Sequence, residues 1–136
     1  MPGEPEMGRS SIGVVTVDDH EASRRSIRDV IEATPGFELL GEAASGEAAL
    51  ALVAELSPEL VLVDVRMPGM DGFEIARRLR TVRPAATVIL VSSDDVAESV
   101  CDSCGAAAFV PKRAFGRAAL RRVWDEHGAR PIPSGG

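Results

Sequence analysis

Apolar residues fall along this chain in two alternating patterns. Residues 12–17, 37–44, 60–64, 87–91 and 107–110 are short runs rich in Val, Ile, Leu, Ala and Phe. In the run at 60–63 (Leu60, Val61, Leu62, Val63) no polar residue alternates with the apolar ones, which marks a strand covered on both faces. Between the runs the spacing turns helical. Ile27, Val30 and Ile31 share one face of a helix starting at Glu21, with Arg24, Arg25, Arg28 and Asp29 mostly outside it. Pro35-Gly36 stops that helix. Ser45 is placed to cap a second helix reaching about Leu56, with Ala49, Leu52, Val53 and Leu56 inward. A third starts at Asp71 or Gly72, buries Ile75, Ala76, Leu79 and Val82, and closes at Pro84. A shorter fourth helix is expected over 96–104, stopped by Gly105, and a fifth over 114–127. Strands alternating with helices pair in parallel through right-handed crossovers, so the expected class is α/β, a doubly wound (βα)5 fold with a five-stranded parallel sheet.

Size and charge narrow the picture without redirecting it. The 136 residues suffice for one domain with a core. With 45% apolar and 26% charged residues the balance is that of an ordinary globular protein. A formal net charge of −6 speaks against a chain-wide nucleic-acid or membrane surface. No apolar stretch approaches the roughly 20 residues a membrane helix needs. Residues 1–11 carry no apolar signal region and are expected to be a disordered leader; residues 12–127 form the domain and 128–136 a flexible tail. Two cysteines do not make a disulfide framework, and the cytoplasm is the expected compartment.

The chemistry collects where the runs end. Asp18 and Asp19 follow the first, Asp64 closes the third, Ser92 the fourth, and Lys112 lies just past the fifth. In a parallel sheet these ends face one way, where open α/β sheets bind their ligands. Three carboxylates brought together repel one another, and a divalent cation resolves the conflict. Hard oxygen ligands with room for water suit Mg²⁺. The lysine and the hydroxyl offer what a transferred phosphoryl group needs, a point charge and a hydrogen bond to its oxygens.

Four motifs in order, Val17-Asp18-Asp19-His20, Asp64-Val65-Arg66-Met67-Pro68-Gly69-Met70-Asp71-Gly72, Val91-Ser92-Ser93, and Gly105-Ala106 with Phe109-Val110-Pro111-Lys112, resemble the receiver domain of two-component response regulators. The local wording is most similar to receivers that precede helix-turn-helix output domains. The resemblance covers 12–127 and implies the strand order 2-1-3-4-5. By position, it implies that Asp64 accepts the phosphoryl group from a phosphohistidine. Asp19 would ligate Mg²⁺ directly, Asp18 through water, and the backbone carbonyl of Arg66 would complete the protein ligands. Lys112 would pair with the phosphoryl oxygens, Ser92 would supply the moving hydroxyl, and Phe109 would be the aromatic switch. The implied protein is a phosphoacceptor that catalyses its own phosphorylation and dephosphorylation rather than an enzyme acting on another substrate. Its partners would be a histidine kinase or phosphotransfer protein. Output would pass through a protein partner, a homodimer formed by the fourth helix, fifth strand and fifth helix, or a domain outside this chain, with no nucleic-acid contact by the chain itself. Two positions depart from the commoner pattern: Ser92 stands where Thr is frequent, losing the stiff β-branch, and Phe109 where Tyr is frequent. Arg66 and Ser93 fall at variable positions that tune phosphoryl lifetime.

Other readings are weaker. An aspartyl-phosphate phosphatase of the haloacid dehalogenase type needs a second acid two residues after the nucleophile, where this chain has Arg66. A receiver-like binding module that is not phosphorylated would be marked by a missing acid or lysine. No glycine-rich nucleotide motif is present. His20 is read as a helix-start residue rather than a ligand. The Cys101/Cys104 spacing lies too far along its helix for a lowered thiol pKa. The acidic row Asp94, Glu98, Asp102 and the basic row Arg113, Arg117, Arg121 are read first as solvated faces, with pairing across a dimer as the alternative.

Overall fold

The branched runs form five strands: β1 (Ile12–Val17), β2 (Phe37–Ala43), β3 (Leu60–Asp64), β4 (Thr87–Ser92) and β5 (Ala108–Pro111). All pair in parallel, in the order β2-β1-β3-β4-β5, as the expected topology requires. The structure, a computed structural model, describes residues 11–93 and 103–128. The expected fourth helix before Ser103, with Asp94, Glu98, Cys101 and Asp102, lies outside the described residues, as do 1–10 and 129–136. Three helices, α1 (Glu21–Ala33), α2 (Gly46–Leu56) and α3 (Gly72–Val82), follow the first three strands, and a C-terminal helix spans Arg117–His127.

Because successive strand residues point to opposite faces, the sheet divides the core in two. Val15, Val17, Val61, Val63, Val88 and Leu90 meet Ala49 and Val53 of α2 and Ile75, Ala76 and Leu79 of α3. Ile12, Val14, Leu60, Leu62, Ile89 and Val91 meet Ile27 and Ile31 of α1 and Leu120, Val123 and Trp124 of the C-terminal helix. Every residue of β1, β3 and β4 is buried, the outcome of unbroken apolar runs covered on both sides. Ser45 does cap α2, its Oγ accepting from the Ala48 N–H at 3.2 Å.

Two expectations shift. Val82, expected inward, is the last residue of α3 and stands 38% exposed, the helix having run past the core. The last helix begins at Arg117 rather than Ala114. Lys112–Ala114 instead makes a 3-10 turn, and Phe115 and Gly116 are extended, Gly116 forming the N-cap. Among the described residues no helix is long and apolar enough to cross a membrane.

Candidate functional site

The C-terminal ends of β1, β3 and β5 bring four of the expected side chains together. Asp18 is 1% exposed and Asp64 3%. Lys112 bridges them, its Nζ lying 3.1 Å from Asp18 Oδ2 and 3.5 Å from Asp64 Oδ2. Asp19, the next residue along from Asp18, keeps a buried Oδ1 although its side chain is 26% exposed.

The two buried acids are driven in opposite directions. Burial raises the pKa of Asp18, but hydrogen bonds from Ser23, from the His20 backbone N–H (2.8 Å) and from Lys112 outweigh it and hold the carboxyl below its ordinary value. At Asp64 burial comes first, and the Asp18 charge adds to it. Lys112 and the Arg66 N–H (3.3 Å) do not compensate, so the Asp64 carboxyl is raised. Environments that separate the pKa values of paired acids are a mark of working sites.

The turn after β3 fixes where Asp64 sits. Gly69 has φ +79°, in the left-handed region that favours glycine. At Gly72 a Cβ would stand 2.5 Å from the Asp64 carbonyl oxygen and 2.7 Å from Val65 Cα, so the first turn of α3 packs directly on the end of β3. The Gly72 N–H donates to the Val65 carbonyl at 3.0 Å and closes this contact. Asp71 caps the helix: its Oδ1 accepts the Glu74 N–H at 3.0 Å as the N-cap of α3.

Ser92 ends β4 fully buried and is registered beside Pro111, one residue before Lys112. Phe109 on β5 pairs in register with Leu90 and packs against the α2–α3 half of the core. Arg66 is exposed, and its backbone N–H is tied to Asp64.

Two contributors escape the sequence patterns. His20 is the N-cap residue of α1, as a helix-start reading expects, yet its Nδ1 lies 3.1 Å from Asp19 Oδ1, 3.3 Å from Asp18 Oδ1 and 3.8 Å from Asp64 Oδ2. Arg24, expected on the outer face of α1, reaches back to the site. Its Nη1 donates to the Asp18 carbonyl at 2.6 Å, and its Nε lies 3.6 Å from Glu42 Oε1. Arg28 grips the same Glu42 through two hydrogen bonds, of 2.5 and 3.0 Å. A polar helix face reads as solvated until an acid on a neighbouring strand is known to stand opposite it, and the signal available was Glu42, the penultimate residue of β2.

Among the described residues, Asp18, Asp19, His20 and Asp64 each offer a ligand atom, all within 4.8 Å of one another. Asp19 Oδ1 and Asp64 Oδ2 are buried with no hydrogen-bond partner. Buried carboxylate oxygens left so are costly in an apo protein and suit a hard divalent cation. The residues present therefore fit a Mg²⁺ ion.

A family model for the response regulator receiver domain matches residues 14–123. The chain is 39% identical over 107 residues to a protein-glutamate methylesterase/protein-glutamine glutaminase of Nocardioides sp., an alignment covering 76% of this chain and 29% of that protein. It is 36% identical over 105 residues to the response regulator GacA of Pseudomonas aeruginosa, covering 76% of this chain and 49% of GacA. The chain thus spans half or less of the length of these curated relatives. Among solved structures, the signal receiver domain of the putative response regulator NarL from Mycobacterium tuberculosis superposes with a TM-score of 0.77 at 31% identity, covering 85% of this chain and 95% of that one.

Proposed function

We propose, for a chain that belongs to the response regulator receiver family of two-component signalling, that Asp64 is the phosphoryl acceptor of a switch. The observation that carries the proposal is Asp64 itself: a 97%-buried carboxylate at a strand end, beside two further acids and 3.5 Å from a lysine. In the proposed step an Asp64 oxygen attacks the phosphorus of a phosphohistidine in line. A P–O bond forms, the P–N bond breaks, the imidazole departs, and an acyl phosphate remains. Asp19, Asp64, the Arg66 backbone carbonyl and, through water, Asp18 would hold Mg²⁺, which when bound supplies positive charge to the transferred group.

The residues of the chain do the rest. Lys112, already close to Asp64, exchanges its carboxylate contact for phosphoryl oxygens. Ser92 donates its hydroxyl to the phosphorylated form, and Phe109 moves into the space that follows. The phosphoryl group acts by stabilising one of two conformations of the surface around β5 and the C-terminal helix. Binding and nucleophile share one pocket, so the domain promotes both its own phosphorylation and its own dephosphorylation, the hydrolysis of the acyl phosphate. A histidine kinase or phosphotransfer protein in the cytoplasm is the donor. Residues 12–127 form the receiver unit, and output goes to a protein partner, a second copy or a further domain.

The test is incubation with Mg²⁺ and a small-molecule phosphodonor, followed by intact-mass measurement of wild type and Asp64→Asn. A single phosphoryl adduct in the wild type only is expected; no adduct, or an equal one in the variant, overturns the assignment.

A further inference from the structure

Both side-chain oxygens of Asp18 already have partners. Its Oδ1 accepts the His20 backbone N–H at 2.8 Å, its Oδ2 faces Lys112 Nζ at 3.1 Å, and its carbonyl takes the Arg24 guanidinium. The oxygens left without hydrogen bonds are Asp19 Oδ1 and Asp64 Oδ2, the latter on a side chain that is 97% buried. A third atom stands with them. His20 Nδ1 is 3.1 Å from the first and 3.8 Å from the second. The Asp19 oxygen gains no hydrogen bond from that nitrogen, so the ring is not simply donating to it. Nδ1 also shares a long hydrogen bond, 3.3 Å, with Asp18 Oδ1, an oxygen that already accepts a shorter one.

Adjacent ligands of an octahedral ion with bonds of about 2.1 Å stand about 3.0 Å apart, and opposite ligands about 4.2 Å apart. The 3.1 Å separation from Asp19 is that of neighbouring vertices, and 3.8 Å from Asp64 falls between the two limits. The His20 side chain is 63% exposed, so its ring stands on the solvent side of the site. An imidazole nitrogen adds little for Mg²⁺, which favours oxygen, and more for first-row transition ions such as Mn²⁺ and Co²⁺.

We infer that His20 Nδ1 is a direct ligand of the ion held by Asp19 and Asp64, making this a mixed nitrogen and oxygen site that favours a first-row transition ion over Mg²⁺. The inference rests on the metal reading of the acids given above. It predicts a preference for such transition ions larger than a pure carboxylate site would show, and it assigns the increment to one exposed side chain.

The experiment uses the whole chain with the metals themselves as probes. Calorimetric titration of wild type and His20→Ala with Co²⁺ and with Mg²⁺ is expected to show Co²⁺ affinity falling about tenfold in the variant, and Mg²⁺ affinity less than twofold. Pulsed electron paramagnetic resonance of the Mn²⁺-loaded wild type is expected to show coupling to an imidazole ¹⁴N, and the variant to lose it. Equal losses for both ions, no loss for either, or no nitrogen coupling in the wild type would overturn the inference. Circular dichroism of the variant checks that it folds. A wild type that forms the Asp64 adduct with Mg²⁺ but shows no nitrogen coupling refutes the His20 ligand and leaves the phosphoacceptor reading standing. Nitrogen coupling without an adduct does the reverse.

Discussion

Replacing Asp64 by asparagine should make the metal-free protein more stable, not less. The amide keeps the shape of the carboxylate and can still accept the Arg66 N–H at its Oδ1. What it removes is charge. Asp18 and Asp64 present ligand atoms no more than 4.8 Å apart, a repulsion of about 3.5 kcal/mol at an effective dielectric constant near 20. Lys112 at 3.5 Å returns about 4.7 kcal/mol on the same scale. The difference, about 1.2 kcal/mol, favours the ionised group, so the desolvation of a carboxylate that is 3% exposed must outweigh it to set the sign. The raised pKa of Asp64 says that the ionised form is the disfavoured one. Asp64→Asn is therefore expected to stabilise the protein by on the order of 1–2 kcal/mol at neutral pH, a rise in Tm of roughly 3–10 °C for a chain of this size. A folded pKa above the unfolded one means that the wild-type group is without penalty below its unfolded pKa, and that stability is lost as pH rises through the folded value. The gap between the two proteins should accordingly close in acid and open towards neutrality. Thermal unfolding followed by circular dichroism in a chelator, at several pH values, measures it. A variant less stable than wild type at neutral pH, or a gap that ignores pH, would refute the electrostatic reasoning. Saturating Mg²⁺ should also narrow the gap, because the ion binds the folded wild type more tightly than the variant.

Gly72→Ala forces a methyl group against backbone at 2.5 and 2.7 Å, which no rotamer change relieves. A loss of about 2–3 kcal/mol is expected in denaturant titration, together with reduced phosphoryl uptake, since the end of β3 must move. Arg24→Ala removes the charged donor on the Asp18 carbonyl and should cost about 1–2 kcal/mol and weaken Mg²⁺ binding measured by calorimetry. Arg24→Lys should recover part of the stability and less of the metal affinity. Glu42, held below its ordinary pKa first by Arg28, contributes stability that is present above its unfolded pKa and lost as pH falls through the folded value. Glu42→Gln should therefore flatten the acid limb of the stability curve.

The strands were legible because their apolar runs are unbroken, and the site was legible because parallel strands deliver their ends to one rim. Asp18, Asp64 and Lys112 could be placed together on that argument alone. Sequence spacing describes a helix as a cylinder with a wet and a dry side, and here it misassigned two residues for different reasons. Val82 has the period of a core residue but comes after the sheet beneath it has ended. Arg24 has the period of a surface residue, but α1 crosses β2 where Glu42 and the Asp18 carbonyl stand ready to receive it. The start of the last helix was missed because the Lys112–Ala114 turn has helical composition, and only the extended Phe115 and Gly116 interrupt it. His20 lay in plain view beside two acids, yet spacing gives no rotamer, and the position of its ring is a matter of rotamer.

The single tryptophan of the chain, Trp124, is 1% exposed in the half of the core bounded by α1 and the C-terminal helix, and its indole N–H has no hydrogen-bond partner. An indole in such surroundings emits at short wavelength when excited in the near ultraviolet and shifts to the red when water reaches it. It lies on the helix that follows β5, so its light reports whether that helix is seated, without any label being introduced. Its emission separates seating of the C-terminal helix from events at the carboxylates, which are better followed by heat or by mass.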